Sequence, residues 1–175
     1  MPKPDPVIIA PPGPVPPVTV RPARPSDARA AWAIEHAAFT EFDRFSPRRI
    51  AGLIANPRAR AFVADSDGAV LGWIAALVRR GVHGPSGRIY TVAVSPDAAG
   101  RGIGRLLTAH TLGVLDAEGV ERVCLEVRQE NRRAIALYES LGFRVVRELP
   151  DYYADGAPGF RMARRRGAAP TPVSP

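Results

Sequence analysis

The sequence predicts one α+β domain with a mixed β-sheet. In its first half, short apolar runs follow one another as in a β-meander, separated by turn residues. In its second half, strand-like runs alternate with helix-like patterns of apolar residues. A run of strands followed by strand–helix–strand–helix–strand favours a single sheet with helices packed against it.

Cap and turn residues predict the elements of the first half. The expected order is a strand over Val18–Arg21, a helix from Pro25-Ser26-Asp27 to about Phe39, a helix from Ser46 to Ile54, and a hairpin of Ala61–Ala64 with Val70–Val78. Ser26 or Asp27 is the expected N-cap of the first helix, and Pro47 suits the first turn of the second. Ser66-Asp67-Gly68 supplies the hairpin turn.

Periodicity and glycines predict the second half. The expected order is a strand over Gly87–Val94, the longest helix from Gly102 to about Ala117, a strand over Arg122–Arg128, a helix over Asn131–Leu141, and strands over Phe143–Glu148 and Phe160–Ala163. Gly142 is placed to end the fourth helix. Glu126 is expected on the opposite strand face from Leu125 and Val127, because side chains alternate along a strand.

Length and composition indicate a globular protein with its own core. The chain has 175 residues, of which 46% are hydrophobic and 23% charged. No apolar run reaches the roughly 18 residues of a membrane-spanning helix, and prolines at positions 2, 4 and 6 do not fit a signal peptide. The single cysteine, Cys124, excludes an internal disulfide. We expect a cytoplasmic protein with no membrane contact.

Proline content marks the domain boundaries. Residues 1–17 and 166–175 are expected to be disordered tails around one domain over residues 18–165. The net charge is +7, of which three charges belong to Arg164–Arg166 and four to residues 19–163, since Lys3 and Asp5 cancel. This mildly basic core suits a polyanionic cofactor or an acidic partner such as a ribonucleoprotein surface. Direct nucleic-acid binding is not expected, because no basic stripe is interleaved with aromatic residues.

A glycine-rich segment lies between the strand that ends at Val94 and the longest helix. Gly100, Gly102 and Gly104 let the backbone curl tightly and approach a ligand closely. Amides at a helix N-terminus attract anions, so the segment predicts a phosphate cradle for a phosphorylated cofactor, with a tight structural turn as the alternative. Neither the G-x-G-x-x-G spacing of dinucleotide-binding folds nor the G-K-[ST] of a P-loop is present.

Five segments in order carry a resemblance to a known family. They are Val92-Ala93-Val94-Ser95-Pro96, Gly100-Arg101-Gly102-Ile103-Gly104, Leu125-Glu126-Val127-Arg128, Asn131, and Ala136-Leu137-Tyr138-Glu139-Ser140-Leu141-Gly142-Phe143. Over about residues 18–165 the chain resembles the GCN5-related N-acetyltransferase (GNAT) superfamily, and within it the RimI-type enzymes that acetylate the N-terminal amine of a ribosomal protein.

The resemblance implies the GNAT fold and acetyl-CoA as cosubstrate, without a metal. The fold is α/β/α sandwich-like, with a mostly antiparallel sheet of about seven strands splayed at its centre and about four helices. Acetyl-CoA is expected where the strand of Thr91–Val94 splays from that of Val123–Val127. The residues implied to bind it are Val92, Val94, Ala99, Gly100, Arg101, Gly102, Ile103, Gly104, Arg105, Asn131 and Tyr138.

One position departs from the family pattern. Ala99 stands where the family usually has Gln or Arg, which removes a side chain but not a backbone amide. Because the amides hold most of the phosphate, we expect weaker binding rather than none, and Arg101 and Arg105 are candidates to compensate.

The resemblance also implies catalytic roles that the chemistry supports. An α-amine has a pKa of about 8 and a lysine about 10.4, so a carboxylate suffices as base for the former. Glu126 is the candidate base; its alternative is a surface acid paired with Arg128 or Arg144. Tyr138 is the candidate acid for the leaving thiolate; its alternative is a core aromatic. A backbone amide near Val94 is expected to polarise the thioester carbonyl.

Several further residues have both a functional and a structural interpretation. Asn131 is an N-cap that in the family also touches the pantetheine arm. Tyr152 and Tyr153 match a pair at the peptide entrance of RimI-type enzymes, or are aromatics at a sheet edge. Cys124 is not expected to carry an acyl group, since it lacks a histidine neighbour in sequence. His36, His83 and His110 have no metal-ligand spacing.

The sequence thus predicts an acetyl-CoA-dependent N-acetyltransferase, monomeric or homodimeric, that acts on a peptide or protein N-terminus such as that of a ribosomal protein. Lysine side chains and small-molecule amines are alternative acceptors. A non-catalytic acetyl-CoA sensor is the alternative from another class, and Ala99 is the residue that favours it.

Overall fold

A computed structural model describes residues 17–82 and 84–168. Its strands are β1 (Thr19–Pro22), β2 (Ala59–Ser66), β3 (Ala69–Gly81), β4 (Gly84–Val94), β5 (Arg122–Arg128), β6 (Arg144–Leu149) and β7 (Gly159–Arg165). Its helices are α1 (Ala28–Ala38), α2 (Pro47–Ala55), α3 (Ile103–Ala117) and α4 (Arg132–Glu139). The predicted tails lie almost wholly outside the described residues, as does His83.

The seven strands form one sheet in the order β1-β2-β3-β4-β5-β7-β6. All neighbouring pairs are antiparallel except β4 with β5. The predicted fold, with four helices on a mixed and mostly antiparallel sheet, is confirmed. None of the helices in the described part of the chain is long and apolar enough to cross a bilayer.

Several predicted local signals act as expected. Asp67 and Gly68 both have positive φ, 54° and 82°, in the two-residue turn of the β2–β3 hairpin. Ser46 caps α2, because its side chain accepts a hydrogen bond from the amide of Arg49 at 3.3 Å. Gly142, with φ 87°, follows α4 and takes the left-handed conformation that ends a helix.

Asp27 stands at the N-cap position of α1, as one of the two predicted alternatives, but its side chain does not cap the helix. A 3₁₀ turn over Pro25–Asp27 precedes the helix, and Asp27 makes no cap hydrogen bond to α1. The Asp27 carboxylate instead accepts from the amide of Arg24 at 2.7 Å and from both terminal nitrogens of Arg21. Arg21 also binds Asp65, so these charges fasten β1 and the turn to β2. The Arg21 guanidinium lowers the pKa of Asp27.

The helices cover the sheet unequally. Helices α1 and α2 pack on one face of β2, β3 and β4, around Ile34, Ile50 and the fully buried Trp73. Helices α3 and α4 contribute to a larger core on the other face, which includes Leu107, Ile135 and residues of β5 and β7. On the α1–α2 side, the outward-facing side chains of β5, β7 and β6 are therefore half-buried or exposed, with the exception of Leu149.

The sheet opens at its centre. Strands β4 and β5 pair only over three residue pairs, the last of which joins Arg88 to Cys124. Beyond Arg88, β4 pairs with β3 alone, and Tyr90 is an extra residue there, because Thr91 and Ile89 face consecutive residues of β3. The predicted splay between β4 and β5 follows from this short ladder.

A close packing contact fixes α3 above β3. A Cβ atom on Gly72 would lie 2.9 Å from the carbonyl oxygen of Ala93 and 3.2 Å from Cγ2 of Ile103. Only glycine fits here without a backbone shift. The N-terminus of α3, and with it the glycine-rich turn, therefore sits directly on the strands that border the splay.

Candidate active site

The glycine-rich turn presents open backbone donors at the start of α3. Gly100 and Gly102 have φ values of 82° and 75°, which an L side chain rarely adopts. No amide from Gly100 to Arg105 donates to another described residue, and the first helical bond runs from Leu106 to the carbonyl of Gly102 at 2.9 Å. Open amides at the positive end of a 15-residue helix fit a pyrophosphate.

Two details of this turn differ from the sequence argument. The amide of Ala99 is not open, because it donates to the carbonyl of Pro96 at 3.1 Å and so belongs to the preceding 3₁₀ turn. Arg105 donates from Nη1 to Oγ of Ser140 at 2.6 Å. Arg101 is exposed and forms no ion pair with any described residue, so it is the arginine available to replace the missing side chain at 99.

A cavity of about 600 Å³, here called the acceptor cavity, lies at the splay. It is lined by Phe39, Phe42, Asp43, Phe45, Arg49, Arg88, Ile89, Tyr90, Thr91, Val92, Leu125, Glu126, Val127, Arg128, Asn131, Ala134, Tyr138, Tyr152, Tyr153 and Ala154. Six residues singled out from the sequence meet here: Val92, Glu126, Asn131, Tyr138, Tyr152 and Tyr153. Val94 and residues 99–105 are not part of this lining.

Glu126 projects from β5 into the acceptor cavity with only 7% of its side chain exposed. Its Oε1 accepts from Nε of Arg161 at 2.9 Å, and its Oε2 accepts from Nε of Arg88 at 2.9 Å. The ion-pair partners named in the alternative interpretation, Arg128 and Arg144, are therefore wrong. Side chains alternate along β5, and this directs Glu126 away from the core and into the cavity. Glu126 therefore lines the cavity while it forms two ion pairs.

Tyr138 lies on α4 at the inner end of the same cavity. It is buried among core residues, and its ring contacts that of Phe143 edge-on, with centroids 5.8 Å apart. Burial raises the pKa of Tyr138 to about 12, so the hydroxyl keeps its proton at neutral pH. Its hydroxyl makes no hydrogen bond within the described residues. Tyr138 is therefore both a core aromatic and a cavity-lining residue.

Asn131 caps α4, with its Oδ1 accepting a hydrogen bond from the amide of Ala134 at 3.0 Å.

Arg128 joins three walls of the acceptor cavity, a role that differs from the pairing with Glu126 that the sequence offered as an alternative. Its Nε and Nη2 bind the two oxygens of Asp43 at 2.7 and 2.9 Å, and its Nη1 binds Asp155 at 3.0 Å. Its guanidinium also lies 4.2 Å from the centre of the Tyr153 ring. Only its position in the Leu125-Glu126-Val127-Arg128 segment hinted at this, because its partners are far away in sequence.

The two tyrosines lie in the loop between β6 and β7. Their rings meet edge-on with centroids 5.2 Å apart, and the Tyr152 hydroxyl accepts from Nη2 of Arg88 at 3.2 Å. A Cβ on Gly159 would lie 3.1 Å from Cε2 of Tyr153, so this glycine makes room for the ring. Tyr152 is 40% exposed, at the mouth of the cavity.

The opposite wall comes from the segment between α1 and α2, and a buried carboxylate holds it. Glu35 is 1% exposed; its carboxylate accepts from the Thr91 hydroxyl and, at 3.2 Å, from the amide of Phe45. Burial raises the pKa of Glu35. Phe45 stacks with the Arg49 guanidinium at 4.0 Å. The sequence argument missed this wall, because aromatic residues outside a helix carry no periodic signal.

Cys124, His36 and His110 have no catalytic arrangement within the described residues. Burial raises the pKa of the Cys124 thiol, which disfavours the nucleophilic thiolate. Among residues 17–82 and 84–168, no three His, Cys, Asp or Glu side chains are grouped as metal ligands. His36 and His110 instead contact the rings of Trp32 and Phe62.

Comparison with known proteins decides the family. The sequence profile of the acetyltransferase (GNAT) family matches residues 28–143. The chain belongs to this family. This confirms the resemblance to GNAT proteins that the five sequence segments indicated. The splayed seven-stranded sheet with its four helices also matches the fold of a solved GNAT structure.

Individual relatives differ in the acceptor that their names imply. A mycothiol acetyltransferase of Frankia casuarinae is 39% identical over 142 residues, which cover 72% of this chain and 41% of that protein. A ribosomal protein bS18-alanine N-acetyltransferase of Salmonella typhimurium is 46% identical over 65 residues, covering 37% of this chain and 44% of that protein. The chain therefore spans less than half the length of these relatives within each match.

A solved structure matches over nearly its full length. The ribosomal-protein-S18-alanine N-acetyltransferase of Escherichia coli superposes with a TM-score of 0.75 at 29% identity, covering 90% of this chain and 99% of that one.

Proposed function

We propose that this GNAT protein transfers an acetyl group from acetyl-CoA to the α-amine of a polypeptide N-terminus. The observation that carries the proposal is that Glu126 and Tyr138 line one cavity at the β4–β5 splay. The likeness to the Escherichia coli enzyme over 90% of the chain supports a peptide α-amine as acceptor. We take residues 18–165 as the catalytic domain and the cytoplasm as its compartment.

Each end of acetyl-CoA has candidate binding groups. The open amides from Gly100 to Arg105 would hold the pyrophosphate, with Arg101 adding charge. Asn131 and Val92 would border the pantetheine arm as it enters the splay, and the thioester would reach Tyr138. A backbone amide near Val94, in the part of β4 that has no β5 partner, would polarise the thioester carbonyl.

The reaction then needs two proton movements. The acceptor nitrogen attacks the thioester carbon, and Glu126 takes the proton that the amine loses, directly or through water. The C–S bond breaks, and the Tyr138 hydroxyl donates to the leaving thiolate. An α-amine with a pKa of about 8 needs less help from a carboxylate than a lysine with about 10.4. No covalent enzyme intermediate is required.

A small-molecule amine is the second candidate acceptor. Proteins named mycothiol acetyltransferases match up to 72% of this chain. Acetylation of small amines should therefore be measured beside acetylation of peptides. A non-catalytic acetyl-CoA sensor is the remaining alternative, and the presence of both Glu126 and Tyr138 in the cavity argues against it.

Mass spectrometry of acceptors incubated with enzyme and acetyl-CoA tests the proposal. The set contains Ala-initiated peptides, N-terminally blocked peptides with an internal lysine, and small amines. We expect acetylation of the free α-amine and not of the blocked peptides. Acetylation of lysine or of small amines alone would contradict the peptide proposal, and no transfer to any acceptor would favour the sensor.

The role of Glu126 is tested separately with Glu126→Gln. We expect a lower rate and the loss of the acidic limb of the pH–rate profile, because the titrating base is gone. An unaltered profile would assign the base elsewhere. Glu139→Gln, the same exchange at an exposed position on α4 outside the acceptor cavity, is the matched control.

A further inference from the structure

A second cavity of about 250 Å³, here called the basic pocket, adjoins the acceptor cavity. Arg88 and Glu126 line both cavities. The rest of the basic pocket is formed by Leu77, Arg79, Ser86, Gly87, Cys124 and Arg161. The pocket therefore begins at the proposed base, and the residues that set its charge are arginines.

The arginines of the basic pocket outnumber its carboxylates. Arg88 and Arg161 share the single carboxylate of Glu126. Arg79 is exposed and forms no ion pair among the described residues. Three guanidiniums and one carboxylate leave a surplus of two positive charges within one small pocket. Arg128 does not add to it, because Asp43 and Asp155 neutralise Arg128.

Arg161 has unused donors. Only its Nε binds Glu126, and its two terminal nitrogens make no hydrogen bond to any described residue. Arg88, by contrast, uses Nε and Nη2 for Glu126 and the Tyr152 hydroxyl. A guanidinium with both terminal nitrogens open is the geometry that binds a carboxylate through two parallel hydrogen bonds.

The charge continues over the uncovered face of the sheet. Pairing of β5, β7 and β6 places four further arginines on the same face as Glu126: Arg122, Arg144, Arg147 and Arg165. Glu126 is the only acidic residue that this pairing places on that face of the three strands. An acceptor chain leaving the site across this face would meet positive charge on every strand.

We propose that the acceptor carries a carboxylate close to its accepting amine, and that Arg161 and Arg79 bind this carboxylate. The inference rests on the proposed function, because Glu126 as base fixes where the amine sits. Arg161 Nε lies 2.9 Å from Glu126, and an extended chain advances about 3.3 Å per residue. An Asp or Glu among the first three residues of a polypeptide acceptor meets this requirement.

Matched peptides test the inference. The peptides share an N-terminal Ala and differ at positions two and three, which are Asp-Asp, Asn-Asn or Lys-Lys. We measure kcat/KM at saturating acetyl-CoA, and in parallel the Kd of fluorescent versions for the protein with CoA present. We expect the acidic peptide to have a kcat/KM at least about tenfold higher and a Kd at least about tenfold lower than the basic peptide, and both differences to shrink in 0.5 M salt, where charges are screened.

Arg79→Glu and Arg29→Glu make the same charge change inside and outside the basic pocket. Arg79→Glu is expected to reduce the acidic-to-neutral ratio, and Arg29→Glu to leave it as in the wild type. Because the ratio is taken within one variant, loss of folded protein cancels from it. Equal Kd values for the three peptides, or an unchanged ratio in Arg79→Glu, would overturn the inference.

The two proposals fail in different ways. If acidic peptides bind preferentially but none is acetylated, the proposed function fails and the acidic preference stands. If all three peptides are acetylated equally, the function stands and the inference is wrong. Free aspartate and glutamate form a further arm, since acetylation of these at a higher kcat/KM than the acidic peptide would identify a small acidic amine as the source of the carboxylate.

Discussion

The two sides of the splay differ in the groups that they present: backbone amides on one side and side chains on the other. On the cofactor side, the turn from Gly100 to Arg105 offers backbone amides, held by left-handed glycines and the start of α3. On the acceptor side, the wall consists of side chains from the α1–α2 segment, β4, β5 and the β6–β7 loop, joined by Arg88 and Arg128. We therefore expect a site of backbone amides to tolerate a side-chain change such as Ala99, whereas a site of side chains changes its chemistry with each residue.

Among the substitutions considered, removal of the Tyr138 hydroxyl is expected to reduce activity most, because Tyr138 lies where the two sides of the splay meet. In Tyr138→Phe the ring keeps its packing against Phe143, but the leaving thiolate loses its donor. We expect kcat to fall by about 10²- to 10⁴-fold, the range for a positioned acid. Calorimetric titration should give a nearly unchanged Kd for acetyl-CoA. An unchanged kcat would remove the acid role.

The cofactor side is tested by Gly102→Ala. Gly102 has φ 75°, and an L residue in this conformation costs about 1–2 kcal/mol, so the turn should shift and its amides lose alignment. We expect an increase of about tenfold in the Kd of acetyl-CoA, since 1.4 kcal/mol is a factor of ten. The acceptor KM should change little.

Gly113→Ala is the matched control for Gly102→Ala. Gly113 lies within α3, and a Cβ there would meet nothing within 4 Å. Alanine at this position should stabilise the protein by about 0.5–1 kcal/mol, because glycine is the poorer helix former. If both variants weaken acetyl-CoA binding equally, the left-handed turn is not the feature that matters.

The acceptor side is tested by Arg128→Lys. Lysine keeps the charge but cannot bind both oxygens of Asp43 while stacking on Tyr153, so the cavity walls should loosen. We expect the KM of the peptide acceptor to rise by about five- to tenfold, equivalent to about 1 kcal/mol, with an unchanged KM for acetyl-CoA. Steady-state kinetics with each substrate varied in turn separates the two.

The control for Arg128→Lys is Arg60→Lys, which alters the more exposed ion pair with Glu118. An exposed pair contributes about 0–1 kcal/mol, and this one lies outside the acceptor cavity. Its kinetic constants should match those of the wild type. A rise in the KM of acetyl-CoA in Arg128→Lys would show that the two sides are not independent.

The same contrast explains how much the sequence predicted. The β2–β3 hairpin turn at Asp67-Gly68 and the glycine turn were predictable, because periodicity and backbone conformation leave local signals. The splay between β4 and β5 was predicted only through the resemblance to the family. The partners of Glu126 were not, since Arg88 and Arg161 lie 38 and 35 residues away and meet it only through strand pairing. Asp27 holds the predicted N-cap position of α1, but its side chain makes no cap hydrogen bond, because Arg21 and the amide of Arg24 occupy its carboxylate.

The smallest expected effect concerns Glu35, which supports the acceptor wall from behind. Burial raises the pKa of Glu35 above its unfolded value, so the folded state holds its proton more tightly. Stability from this group is therefore present at low pH and declines as pH rises from the unfolded pKa through the folded one. Glu35→Gln removes the titration while keeping an acceptor for the Phe45 amide and a donor toward Thr91.

We expect Glu35→Gln to flatten this part of the pH–stability curve and to make the protein more stable than the wild type at pH 8, because the amide carries no charge for burial to disfavour. Urea unfolding between pH 4 and pH 8 measures both. Glu139→Gln, an exposed change on α4, should leave the slope as it is. A Glu35→Gln protein that is less stable at pH 8, with the wild-type slope, would mean that the ionised carboxylate stabilises the wall and that burial does not dominate its energetics.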